Sequence, residues 1–210
     1  VGFFTFEDDN DGLIDRIVSS QTLVPMDRIK RNQMTEEDFT TVIDMQKPLT
    51  KPTLELFEGA GMTVADIQAL SQSLHLDVIY VDYLQIVEPE NRKTSRTEQV
   101  SAISRGFQQT AHGNGMLVVA LSQLARAEKS RDESRTFEPT MSDLRESGQI
   151  EQDADAVLLL YLENPARPNG SRRVLKLAKN KDGERGRIFL DFDGACQRFS
   201  QAPDQTKTTT

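Results

Sequence analysis

The 210-residue sequence has no tryptophan, one cysteine and two histidines, and aromatic residues make up only 6% of it. A lone Cys196 excludes an internal disulfide and fits a reducing compartment, the cytoplasm being the simple expectation. His75 and His112 stand apart from each other, from Cys196 and from any acid at metal-ligand spacing, which excludes a zinc site of the usual kind. No apolar run is long enough to span a bilayer, and the opening VGFFTFEDD lacks the basic flank and cleavage site of a signal segment, so no membrane partner is expected. Positive charge is also in deficit: 25 Lys and Arg against 33 Asp and Glu leave a net charge of −8. A protein that coats nucleic acid nonspecifically is normally basic, so any such contact must come from a few local basic loops and from assembly with other copies. None of the 12 glycines is followed by Lys, and the phosphate-cradling pattern Gly-x-x-x-x-Gly-Lys-Ser/Thr is therefore missing from these residues.

What is present reads as an α/β chain with a largely parallel sheet, because short β-rich runs alternate with helical patterns. Residues 1–6 form the first strand; it has no lead-in and no initiator Met, as expected of a piece cut from a longer polypeptide. DGLIDRIVSS, from Asp11 to Ser20, places Leu13, Ile14, Ile17 and Val18 on one helical face. Capping boxes at Thr35/Asp38 and Thr63/Asp66 open further helices, running toward Met45 and about Leu74. Strands are expected at 53–57 and 77–82, then a polar loop from Glu88 to Ser95 and a helix over roughly 97–112 stopped by HGNG. The continuous apolar run MLVVAL at 116–121 predicts a strand buried on both faces. Residues 125–140 are charged and weakly periodic, and a mobile loop is expected there. A strand at 155–162 and a hairpin of 173–178 with 187–192 complete one domain over residues 1–200. The Pro/Thr/Gln-rich tail 201–210 is expected to be disordered.

In open α/β sheets, ligands sit outside the carboxyl ends of the strands. Three polar residues occupy such ends: Glu7 after GFFTF, Asp82 after VIYV and Gln123 just past MLVVALS. If the strands are neighbours, the three converge on one crevice. Asp82 would then bind Mg²⁺ through water, Glu7 would polarise an attacking water and Gln123 would sense a terminal phosphate. The plainer reading is that acids and amides end strands as caps and turn formers.

At VIYVDYLQIV, EQVSAISRGFQQTA, VVALSQLAR and above all SDLRESGQIEQDADAVLLLY, the sequence resembles the motor domain of DnaB-type hexameric replicative helicases. FFTFED and the DRIVSS helix resemble the strand and helix that follow the phosphate loop in that family, so the likeness runs from about Val1 to Phe199. It implies a RecA-like P-loop NTPase core, a mostly parallel sheet flanked by helices with a C-terminal β-hairpin. ATP with Mg²⁺ would be hydrolysed at the interfaces of a homo-hexamer moving on single-stranded DNA, with a primase and a helicase loader as partners. By position, Glu7 resembles the catalytic glutamate, Asp82 the Mg²⁺-side aspartate and Gln123 the sensor. Arg145, Glu146 and Gly148 fall in the family's DNA-gripping loop. Ser142 would cap a helix start whose N–H groups suit phosphate oxygens. Arg92 and Lys93 offer a second, weaker DNA contact. Lys179 and Lys181 fall where the family has a Lys-x-Arg pair reaching into the neighbouring subunit's ATP site.

Two departures qualify this picture. Without the phosphate loop, these 210 residues alone are expected to bind ATP very weakly and to unwind nothing. Lys181 stands where the family usually has Arg, and Lys gives a point charge in place of a bidentate fork; Arg185 is the alternative. Two other functions stay open: an accessory module without a phosphate loop that binds or modulates a helicase ring, and a RecA-like repair ATPase.

Overall fold

The structure, a computed structural model, describes residues 1–46, 54–124, 138–144, 148–164, 167, 170 and 172–203. It contains two compact units.

The first unit is a parallel four-stranded sheet with helices. Strands β1 (Gly2–Thr5), β2 (Glu55–Glu58), β3 (Val78–Asp82) and β4 (Leu117–Ala120) lie in the order β2-β1-β3-β4. Register is fixed by apolar side chains: Phe4 lies opposite both Phe57 and Val81, and its ring stacks on Phe57 at 4.8 Å. The second strand starts two residues later than the sequence suggested, at Glu55, where it pairs with Gly2.

Helices α4 (Val64–Ser73) and α5 (Arg96–Asn114) open on complete capping boxes, Thr63 with Asp66 and Ser95 with Glu98. Each box satisfies two otherwise orphaned backbone N–H groups. α5 ends on Gly115 in the left-handed region at φ 62°, where a Cβ would be strained. The two helices approach closely at Gly106, where an added Cβ would sit 3.0 Å from Val64 Cγ1. Phe4, Ile79 and Val81 from the sheet, Ile67 from α4 and Val100, Ile103 and Phe107 from α5 form one buried cluster. Full burial of each such side chain stabilises by about 1.5–3 kcal/mol. A short helix, α6 (Gly148–Asp153), packs on α5 through Ile150 and through Asp153, whose carboxylate accepts from Ser104 Oγ at 2.8 Å.

The expectation that 116–121 is buried on both faces is overturned. β4 ends the sheet among the described strands, and Leu117 and Leu121 are 58% and 41% exposed. The apolar run is the same whether a strand is central or lateral; only its pairing tells the two apart.

The second unit is antiparallel: β5 (Ala156–Leu162), β6 (Arg172–Asn180), β7 (Gly186–Asp193) and β8 (Arg198–Gln201) pair in sequence order. The expected hairpin is therefore the middle of a four-stranded sheet. Gln201 belongs to β8 and Ala202 is buried, so the chain stays ordered past the point where a tail was expected; residues 204–210 lie outside the described ones. Helix α1 (Asn10–Thr22) leaves the first unit at Leu13 and enters the second at Ile14. Its apolar face is narrower than its periodicity suggested, since Leu13 is buried but Ile14 is 47% exposed. Short α2 (Met26–Lys30) and α3 (Glu36–Gln46) follow, the latter capped by Thr35 and Asp38. Met26 N–H donates to Ala195 O, and the buried Cys196 thiol to Leu23 O, tying this segment to the β7–β8 turn. No described helix is long and apolar enough to cross a membrane.

Candidate functional site

β1, β3 and β4 are adjacent and parallel, so their carboxyl ends form one rim. Thr5 pairs with Asp82, Phe6 N–H donates to Asp82 O at 3.0 Å, and Leu121 N–H donates to Val81 O at 2.9 Å. Glu7 lies two residues beyond Thr5, and Gln123 two beyond Leu121. The three polar strand ends singled out in the sequence thus share one edge of one sheet. Glu7 and Gln123 are exposed, and neither side chain is hydrogen-bonded to another described residue; Asp82 is half-buried, and its peptide bond to Tyr83 is cis. Thr5 Oγ1 donates to Asp8 O at 2.7 Å and accepts from Asp8 N–H, closing the turn that carries Glu7.

The rim fits Mg²⁺ of the kind that travels with a nucleotide. Among the described residues no cluster of three His, Cys, Asp or Glu forms a protein-only metal cage. One half-buried carboxylate at a strand end is nevertheless what such an ion needs from protein, since it keeps several waters and takes substrate phosphate oxygens.

The polar loop from Glu88 to Ser95 follows β3. Arg92 Nε is paired with Glu88 Oε1 at 2.5 Å, while the Lys93 side chain makes no contact of this kind among the described residues. Arg145 and Glu146 lie outside the described residues. Gly148 is the first residue of α6 with open space around it. Ser142 sits inside a 3₁₀ turn, Met141–Asp143, and the next described α-helix begins six residues later at Gly148.

In the second unit, Lys179 lies near the end of β6, and Lys181 just beyond it. Lys181 N–H donates to Asp155 O at 3.0 Å, and its ammonium pairs with the Asp155 carboxylate. Arg185, immediately before β7, lines a cleft of about 350 Å³ with Lys176 and Arg187. Glu138 bridges the other two cations, at 2.7 Å from Lys176 Nζ and 2.9 Å from Arg187 Nη2. Those contacts, the Lys176 hydrogen bond first, hold its carboxyl below the ordinary glutamate value. Arg185 has no ion pair or hydrogen bond of its side chain with a described residue.

Residues 1–201 match the DnaB-like helicase C-terminal domain family. The chain belongs to that family. It is 32% identical over 205 residues to the replicative DNA helicase DnaB of Leifsonia xyli, which covers 94% of this chain and 44% of that protein. With the replicative DNA helicase DnaC of Bacillus subtilis it shares 32% identity over 207 residues, 95% of this chain and 45% of that one. It spans less than half the length of these relatives. Among solved structures, a DnaB-like replicative helicase determined with its interactions with primase superimposes with a TM-score of 0.87 at 28% identity, over 96% of this chain and 50% of that one. A second solved structure, an ATPase domain, gives 0.87 at 29%, over 96% and 74%. A RecA-like α/β core, inferred from the sequence, is therefore the fold of this DnaB-like domain.

Sequence reasoning missed two buried polar residues, one holding the rim and one joining α6 to α5. Gln85, 5% exposed, bonds with its side chain to Ser122 and to the backbone of Gln123. Asp153, 8% exposed, bonds Ser104 and Gln149. Both lie inside the stretches that carry the family likeness, but a lone amide beside an apolar run, or one acid among several, gives no periodic signal.

Proposed function

We propose that this chain is the ATP-hydrolysing, DNA-translocating motor portion of a hexameric replicative helicase. The observation that carries the reading is the single rim shared by Glu7, Asp82 and Gln123, in a chain of the DnaB-like helicase family. Glu7, exposed and with no side-chain partner among the described residues, orients the attacking water and accepts its proton. Asp82 would hold Mg²⁺, and Gln123 would reach the terminal phosphate. Mg²⁺, when bound, neutralises charge on the β- and γ-phosphate oxygens. Lys179, Lys181 and Arg185 are the cations offered to the neighbouring subunit's nucleotide, which calls for a closed head-to-tail ring. Arg145, Glu146 and Gly148, with Arg92 and Lys93, face single-stranded DNA; the contact is to its backbone and carries no sequence preference. A primase and a loader are the partners, and the cytoplasm is the compartment.

The reading requires a Gly-x-x-x-x-Gly-Lys-Ser/Thr loop from outside these 210 residues. The test is ATPase and strand separation by the intact protein with and without single-stranded DNA. Glu7→Gln is expected to cut turnover by at least about a hundredfold, while leaving nucleotide binding in place. Undiminished turnover in that variant removes Glu7 from the mechanism. An intact protein that contains no phosphate loop and hydrolyses no ATP supports the accessory-module reading instead.

A further inference from the structure

Gln123 combines a side chain that bonds to no described residue with a backbone held on both sides. Its N–H donates to Gln85 Oε1 at 3.2 Å, and its carbonyl accepts from Gln85 Nε2 at 3.3 Å. The same Nε2 donates to Ser122 Oγ at 2.9 Å. Gln85 is buried in a 3₁₀ turn, Leu84–Ile86, three residues past Asp82. That turn is stitched to β4 by Leu84 N–H donating to Leu121 O at 2.9 Å. The Gln85 carbonyl accepts from the guanidinium of Arg96, the first residue of α5, directly after the loop that holds Arg92 and Lys93.

We infer that Gln85 is a positioning residue for the nucleotide reaction, fixing the Gln123 backbone against the strand end that bears Asp82. The inference rests on the proposed role of Gln123. A buried carboxamide fits this task because it donates and accepts at once, and so grips both the N–H and the C=O of a single residue. Leaving the carboxamide of Gln85, 5% exposed, unpaired is costly, so the backbone at Gln123 has one strongly preferred position. Reach to a terminal phosphate is sensitive to shifts of about 1 Å, which cost up to about a hundredfold in rate. Gln85 touches no reacting atom; it acts through the placement of Gln123.

The test uses the intact protein. Gln85→Met keeps side-chain volume and removes every side-chain hydrogen bond. It is expected to lower kcat about tenfold to a hundredfold, with KM for ATP changed less than about twofold. Gln85→Glu still accepts from Gln123 N–H, can accept from the Ser122 hydroxyl where Gln85 donated to it, loses the bond to the Gln123 carbonyl, and is expected to recover part of the loss. The double variant Gln85→Met/Gln123→Ala is expected to be no slower than Gln123→Ala alone, because positioning is worthless without the group positioned. A second readout needs no turnover: in the 210-residue chain, the Gln123 amide is expected to exchange with solvent at least about tenfold faster in Gln85→Met, with the β3 amides unchanged. Unchanged kcat in Gln85→Met, or single-variant losses that multiply in the double variant, would overturn the inference. Protection lost equally across β3 would make Gln85 merely structural. Wild-type protein with no ATPase, or an active Gln123→Ala, would instead refute the role of Gln123 itself.

Discussion

Lys181 and Arg185 are four residues apart in one β6–β7 connection, but among the described residues only Lys181 of the two is held, by Asp155. Both partners of that pair are half-exposed, so it contributes at most about 1 kcal/mol and is easily exchanged. Among the described residues Arg185 has no side-chain partner, and it carries the planar fork that grips phosphate oxygens bidentately. In the intact protein, Arg185→Ala is accordingly expected to lower DNA-stimulated ATPase at least about tenfold further than Lys181→Ala, with nucleotide affinity little changed in both. The reverse order would return the trans-acting role to Lys181. The sequence made Glu7, Asp82 and Gln123 legible because each ends an apolar run, and run length locates strand ends. It did not reveal that Lys181 has a partner 26 residues away, since pairing across strands leaves no local mark.

Elements were legible where a side chain closes on its own backbone. The capping boxes at Thr35, Thr63 and Ser95 follow from three-residue spacing alone; the first two were read from the sequence, and the third follows the same rule. Ser95→Ala removes the cap of the longest helix and is expected to cost about 1 kcal/mol, measured as a lower urea midpoint at unchanged slope. The acids in these boxes also set a pH response. Asp38 and Asp66, held mainly by the backbone N–H of Thr35 and Thr63, and Glu98, held mainly by the Ser95 hydroxyl, titrate below their ordinary values. Glu138, under its Lys176 hydrogen bond, does the same. Depressed folded-state values mean that this stability is complete above about pH 4.5 and is lost as pH falls through the folded values. Thermal unfolding at about pH 6 and about pH 3 should show a lower Tm in acid, with a smaller drop in Asp66→Asn. Strand context was less legible: MLVVAL and a central strand look alike until pairing places β4 at the end of its sheet.

Charge is a property of the whole molecule, and at −8 it opposes DNA except at local loops. Single-stranded DNA contacts each add about 0.7 to the slope of log affinity against log salt, so a few cations per subunit give a slope of about one to two. Lys93→Ala should lower that slope by about 0.7, whereas Arg92→Ala should change it less, because Glu88 already neutralises Arg92. Equal effects would show that DNA displaces Glu88. Composition and alternation established an α/β chain, yet the division into a parallel and an antiparallel sheet rests on pairings between distant residues, beyond the reach of any sequence window. The single thiol adds a practical consequence. Cys196 is 6% exposed, and burial pushes its pKa up, so it reacts poorly while the β7–β8 turn stays closed on Leu23. A maleimide dye added to the folded 210-residue chain therefore works as a stopwatch: with no other cysteine in these residues to label, its uptake clocks how often that turn opens.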